Sequence, residues 1–352
     1  DAKPRKTFIY DRGSYEMPST EVTSDTPAIL PAMAADLPKN RLGLAKWMMS
    51  AENPLTARVQ VNRMWQMYFG QGIVKTSENF GLLGDVPSHP DLLDWLAVEF
   101  RESGWNMKHM HRLIVTSATY RQSSKISADL LERDSENKWL ARASRFRLPS
   151  MLLRDLALQT SGLLDQKMYG KPVYPYQPAT IWDSLGITKE RDFTYPQSQG
   201  ADLYRRSLYT FWRRTVAPGN MFDMSARRTC VVKNSITSTP LHALTMMNDV
   251  TWVEASRMLA EKVMKSSADP TLWSVRAFEI ICHRSVDAKE AEILLGAWNK
   301  ALAEFQSNPQ AAKELLSHGQ SARDPSLDLS QHAALTHVCL SLYNLDEALT
   351  RQ

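Results

Sequence analysis

Residues 53–70 read NPLTARVQVNRMWQMYFG. Asn53 and Pro54 pair a capping side chain with a proline, whose missing N–H is harmless at the first helical position. From there the apolar spacing is helical, and Arg58, Asn62, Trp65 and Phe69 fall on one line at i, i+4, i+7 and i+11. Polar groups on an aromatic face are unlike a plain surface helix, because once buried they need hydrogen-bond partners. The pattern leaves two outcomes: a structural network that fixes neighbouring loops, or the wall of a pocket.

The same helix signals recur outward from this stretch. Asp269-Pro270 and Asn308-Pro309 repeat the start signal, while Ser88 with Asp91 and Asp287 with Glu290 read as capping boxes. Gly104 and Gly319 read as helix stops. Leu92, Leu93, Leu96, Ala97 and Phe100 form one stripe, and Met151, Leu152, Asp155, Leu156, Leu163 and Leu164 suggest another helix. Residues 270–351 read as helix almost throughout, in about four segments. Two stretches break the pattern. Residues 7–31 are rich in Pro, Thr and Ser and look extended, and residues 166–239 carry Gly, Pro and aromatics. Within the latter, SLYTFWRRTV has the β-branched and aromatic content of a strand. The predicted fold class is mainly α and multihelical, with a few short strands near the N-terminus and in the loop-rich middle. The predicted organisation is an extended segment over 1–40 and a single multihelical domain over 41–352. Its halves would be 41–165 and 240–352, around a loop-rich 166–239.

A chain of 352 residues with 43% hydrophobic and 23% charged residues can bury a real core and is not a disordered polymer. No stretch holds eighteen uninterrupted apolar residues, so no transmembrane segment is expected. The chain opens on Asp1 without a basic-plus-apolar leader, which reads as a piece of something longer. Net charge is +4 but unevenly placed: residues 204–234 hold seven basic residues against Asp223 alone, a net +6, and the remainder sums to −2. Such a segment can meet acidic partners, or it can be consumed by internal contacts. Three cysteines, Cys230, Cys282 and Cys339, are too few for a disulfide framework. Cys282-His283 resembles the end of a C-x-x-C-H haem attachment, but Glu279 stands where the first cysteine is needed. No covalent c-type haem is therefore expected on this chain.

His109 and His111 are two apart in KHMHRLIVTSATYRQSS. On a helix that spacing separates them by about 200°, so they face different ways and cannot chelate together. Asn106 is placed to cap such a helix; His109 is expected to border the buried stripe and His111 to point away. The stronger bet for chemistry is the middle segment, where paired arginines, aromatics, Asp223, Cys230 and a Ser/Thr run converge on Pro240. Arginine with aromatics suits carboxylate, sulfate or sugar recognition by forked hydrogen bonds and stacking. The candidate catalytic residues are His89, Asp223 and Cys230; the candidate substrate-binding residues are Arg58, Asn62, Arg213, Arg227 and Thr237. No Walker loop, G-x-G-x-x-G, G-x-S-x-G or zinc spacing is present, and no metal site is expected.

Six long runs carry a family resemblance: NPLTARVQVNRMWQMYFGQGIVKT, NFGLLGDVPSHPDLLDWLAVEF, SGWNMKHMHRLIVTSATYRQSS, VYPYQPATIW, DLYRRSLYTFWRRTVAP and NSITSTPLHALTMMND. They closely resemble a planctomycete-type domain of unknown function, found C-terminally in large secreted proteins that usually carry a planctomycete-type cytochrome c domain upstream. The resemblance implies an extracytoplasmic setting (periplasm or cell surface), a haem c on a separate upstream domain, and that cytochrome c-type domain as partner. It implies no reaction. Its association with polysaccharide-degrading bacteria makes a polysaccharide the candidate ligand. Where the family pattern continues with Pro and Asp after its Phe-Asp pair, Phe222-Asp223 is followed by Met224, Ser225 and Ala226. Two functions remain open: an enzyme component that oxidises a glycan or other organic substrate, and a non-catalytic docking module. Nucleic-acid binding is disfavoured by the small net charge.

Overall fold

The computed structural model describes residues 5–178, 181–182, 195–213, 216, 219–224 and 229–351. Among them the architecture is mainly α, with thirteen helices and two small sheets. The chain divides into two compact units, residues 1–144 and 145–352.

Unit 1 begins with an antiparallel hairpin of β1 (Thr7–Tyr10) and β2 (Pro18–Val22). Five helices follow: α1 (Arg41–Met48), α2 (Thr56–Phe69), α3 (Pro90–Glu102), α4 (Met107–Thr116) and α5 (Ala128–Arg133). Its core joins Val61, Met64 and Trp65 of α2 to Leu93, Leu96 and Phe100 of α3 and to Met110 and Ile114 of α4. The Asn53 carboxamide accepts from the amides of Leu55 and Thr56, so it caps the turn that leads into α2. The capping box expected at Ser88 and Asp91 does not form. The Ser88 hydroxyl instead reaches the Ile73 carbonyl and the His89 ring, and α3 starts at Pro90 behind an uncapped His89. Asn106 does cap α4, through the His109 amide. The two histidines on α4 diverge as helical geometry requires: His109 Nε2 lies 2.6 Å from Glu99 of α3, and His111 Nδ1 2.9 Å from the Tyr68 hydroxyl of α2. His111 is thus half-buried against α2 and does not point away, because Tyr68 offers it a partner.

Unit 2 is built on α8 (Val250–Ser266), packed between α6 (Ser150–Ser161) and α12 (Leu329–Leu342). α7 (Pro240–Asn248) precedes it; α9 (Trp273–Cys282), α10 (Ala288–Ser307), α11 (Pro309–Leu315) and the single turn α13 (Asp346–Leu349) complete the bundle. The expected capping box at Asp287 and Glu290 is present on α10. Strands β3 (Phe146–Arg147) and β4 (Thr350–Arg351) pair antiparallel. Seven consecutive residues of α8, 251–257, are buried, which leaves no solvent face over that stretch. Two of them are charged. Glu254 Oε1 accepts from the Tyr204 hydroxyl at 2.8 Å and from the amide and hydroxyl of Ser321, both at 2.7 Å. Arg257 Nη2 donates to the Ser321 carbonyl and hydroxyl, while Arg257 Nε and Nη1 and Glu254 Oε2 stay buried without a partner among the described residues. Burial pushes the Tyr204 phenol up to about 12, so it remains a donor to the carboxylate.

In the middle segment strand pairing is reduced to isolated bridges, such as Val173 with Thr210, and residues Ser207–Tyr209 form a 3-10 turn. The cause lies in α6. Arg154, fully buried, donates to the carbonyls of Leu203 and Arg205 and to the Ser207 hydroxyl, and Asp155 accepts from the Ser207 amide at 2.7 Å. Side chains have taken the backbone groups that a partner strand would need. Gly319 is likewise not a helix stop: α11 ends at Leu315. Its φ is +91°, and a Cβ there would stand 2.2 Å from the Glu254 carboxyl carbon. Gly319→Ala should destabilise the chain by about 1–3 kcal/mol through strain and the forced shift of Glu254; an unchanged urea midpoint would show that the loop yields freely.

His332 of α12 is wholly buried, hydrogen-bonded through Nε2 to the Arg257 carbonyl, and burial holds its pKa below the usual 6.5. The unfolded chain therefore binds a proton that the folded chain resists. Stability is constant with respect to this group above about pH 6.5 and falls as pH drops below it. Urea midpoints at pH 7.5, 6.5 and 5.5 should decline for the wild type, and the decline should be smaller in His332→Gln.

Candidate functional site

The candidate residues fall on both units. In unit 1, Arg58 Nε donates to Asp94 of α3 at 2.6 Å and Nη1 to the Pro54 carbonyl at 2.6 Å. Asn62 is fully buried; its amide donates to the Val74 carbonyl and the Ser77 hydroxyl, and its oxygen accepts from the Val74 amide at 2.8 Å. Both side chains are thereby occupied in holding α2 to α3 and to the 70–77 loop. His89 is half-buried at the start of α3, with Nδ1 3.0 Å from the Ser88 hydroxyl.

The basic middle segment of unit 2 is partly internal. Arg205 is buried, donates to the carbonyls of Lys167, Tyr169 and Lys171, and stacks its guanidinium 4.0 Å from the Tyr209 ring centroid. Arg213 lies over the Trp182 ring at 5.7 Å. Arg227 lies outside the described residues. Cys230 is exposed, whereas burial pushes the Cys282 thiol up to about 11 and Cys339 higher still. Those two are protonated and unreactive at neutral pH.

Asp223 and Thr237 do come together. Asp223 Oδ2 accepts from the Thr237 amide at 2.6 Å and Oδ1 from its hydroxyl at 2.8 Å. Asp223 has φ +60°, a left-handed conformation that Asp tolerates better than most residues. The Ser150 hydroxyl donates to the neighbouring Phe222 carbonyl at 2.6 Å, which fixes this corner to α6. His242, on the first turn of α7, was not singled out by the sequence. Its ring stacks on Phe222 at 3.9 Å and 13°, and its Nε2 lies 4.0 Å from Asp223 Oδ1. His242 Nδ1 is buried with no partner among the described residues. Beside them, Arg147 Nη1 donates to the Ser238 hydroxyl at 3.0 Å. A carboxylate, an imidazole, a hydroxyl and an aromatic ring thus share one corner, with the means to accept a hydroxyl hydrogen bond and to move a proton. Nineteen residues separate Asp223 from His242, a spacing that carries no signal before folding.

Unit 2 also holds an apolar cavity of about 530 Å³ between α10 and α12, lined by residues such as Leu294, Ala301 and Val338 and by none of the candidates. Among the described residues no group of three or more His, Cys, Asp or Glu is placed to hold a metal. Cys282 is half-buried at the end of α9, with Glu279 one turn earlier. No described helix is long and apolar enough to cross a membrane.

These features define a helical module with a polar cluster carried on loops. Residues 40–298 match the family PSD1, described as a protein of unknown function (DUF1553), and the chain belongs to that family. No curated protein and no solved structure matches it.

Asn62→Ala should strand the buried Val74 amide and carbonyl and destabilise the chain by about 2–3 kcal/mol. A urea midpoint equal to that of wild type would show that the loop is held by other contacts.

Proposed function

We propose that this chain is an extracytoplasmic module of a larger protein that also carries a c-type cytochrome domain, and that it binds a hydroxyl-rich organic substrate, a glycan, at the Asp223 corner of unit 2. The observation that carries this reading is the meeting of Asp223, Thr237 and His242 beside the Phe222 ring. Carboxylates and imidazoles take hydroxyl hydrogens, and an aromatic ring offers a surface to the apolar face of a sugar. In the oxidative form of the reading, a substrate carbinol becomes a carbonyl and releases two electrons and two protons. His242 would take one proton and water the other, and a c-type haem on the upstream domain would supply one-electron acceptance, taking the two electrons in turn with reoxidation by an external acceptor between them. The extracytoplasmic setting and the haem partner rest on the family resemblance.

The test uses the full-length protein with its haem domain, mixed with a panel of polysaccharides. Haem absorbance should shift to the reduced form with at least one of them, and Asp223→Asn should slow that reduction at least tenfold. If no polysaccharide is bound and none reduces the haem, the reading is wrong.

A second reading, a non-catalytic module that docks the haem domain, is favoured by one observation. Leu241, Leu244 and Met247 are 70%, 59% and 42% exposed on α7, and Val231, Val232 and Ile236 are exposed just before it. At spacings of three they share one helix face. Leu241→Asp with Leu244→Asp should then abolish co-purification with the separately expressed cytochrome domain. Retained co-purification would exclude this face.

A further inference from the structure

Unit 1 contains a cavity of about 330 Å³ that none of the functional assignments above uses. Trp65 and Phe69 lie at its base, one turn apart on α2 and stacked at 4.2 Å and 17°. Three loops wall it, and each is pinned by hydrogen bonds. The first, residues 70–77, is held by Asn62 as described. Its Gly72 packs so closely that a Cβ would stand 2.5 Å from the Asn62 amide nitrogen. The second brings Asp85 and Ser88 to the cavity, tied back through the Asp85 amide to the Thr76 hydroxyl and through the Ser88 amide to the Ile73 carbonyl. The third is the turn 134–142. Asp134 accepts from the amides of Lys138 and Trp139, buried Arg142 donates to the carbonyls of Asp134 and Ser135, and Gln122 donates to the Leu140 carbonyl.

That third turn is also strained. Asn137 and Leu140, both lining the cavity, have φ of +53° and +54°. For a bulky residue such as Leu this is an outlier, and strain of that kind persists only where the surroundings over-determine it. Asn137 Oδ1 is buried with no hydrogen-bond partner among the described residues. At the mouth, Glu136 pairs with Lys75 at 3.2 Å and Lys138 at 3.4 Å, and Asp85 adds the balancing negative charge. The Gln71 carboxamide and the Asp85 carboxylate make no hydrogen bond among the described residues.

The geometry points to a preformed binding site for one unit of a neutral saccharide. The base is aromatic, the rim offers a carboxamide that donates and accepts and a carboxylate that accepts, and the rim charges sum to zero. The summed rim charge draws an ion of neither sign, and a purely apolar ligand leaves the rim groups unpaired. A pyranose ring has an apolar edge for Trp65 and hydroxyls for Gln71 and Asp85. This deepens the glycan reading by placing a second contact on a different unit, and it rests on that reading only for the ligand class.

The experiment is calorimetric titration of the whole chain with cellotetraose, mannotetraose and xylotetraose, with tetragalacturonate and benzoate as charged comparisons. At least one neutral tetrasaccharide should bind, and Gln71→Ala with Asp85→Ala should weaken it at least tenfold while thermal unfolding stays unchanged. Asp85→Asn, of equal shape, supplies the same measurement if the double variant perturbs the fold. Stronger binding of tetragalacturonate or benzoate, no binding of any neutral probe, or affinity indifferent to the rim variants would each overturn the proposal. The unit 2 reading is tested on Asp223 and this one on Gln71 and Asp85, so either can fail alone.

Discussion

Glu254 and Arg257 sit one turn apart on a stretch of α8 that has no solvent face, and the hydrogen bonds of Glu254 Oε1 and Arg257 Nη2 draw distant segments of unit 2 onto that helix. Removing a charge from water is costly, so a buried ion persists only where several partners converge on it. Here the partners come from Tyr204, fifty residues before Glu254, and Ser321, sixty-seven residues after it. One carboxylate therefore ties together the middle segment, the central helix and the loop before α12. Gly319 exists to let that loop come close. Arg154 does the same on the other side of the middle segment, where a buried guanidinium replaces a partner strand for residues 203–207. Residues 203–207 are thus held by side chains of α6, and the same helix fixes the Asp223 corner through Ser150.

What the sequence disclosed follows from how local each interaction is. The capping box at Asp287 and the cap at Asn106 were legible because donor and acceptor lie within three residues. The polar line on α2 was legible as a pattern, and Asn62 and Trp65 then divided its two outcomes: Asn62 became the network, Trp65 a cavity base. The Ser88 box failed because a carbonyl from residue 73 competed for the hydroxyl. The net positive charge of residues 204–234 gave no hint that Arg205 would be spent on three carbonyls. His242 and the cavity in unit 1 depend on contacts between distant segments, and no spacing rule reaches them.

Both candidate regions share a design: side chains on irregular backbone, immobilised by buried polar groups from a neighbouring helix. Such loops present groups to a ligand without the entropy loss of ordering them on binding. Asn62 holds the 70–77 loop and Ser150 the Phe222 corner through hydrogen bonds of their buried side chains.

The pairing of β3 with β4 has a further consequence. Residues 146–147 and 350–351 are adjacent strands, so the first residues of unit 2 are hydrogen-bonded to Thr350 and Arg351, across all the helices between. Closing a loop of that length costs chain entropy that so short a ladder does not repay, so the pairing depends on the helices packed between its two strands.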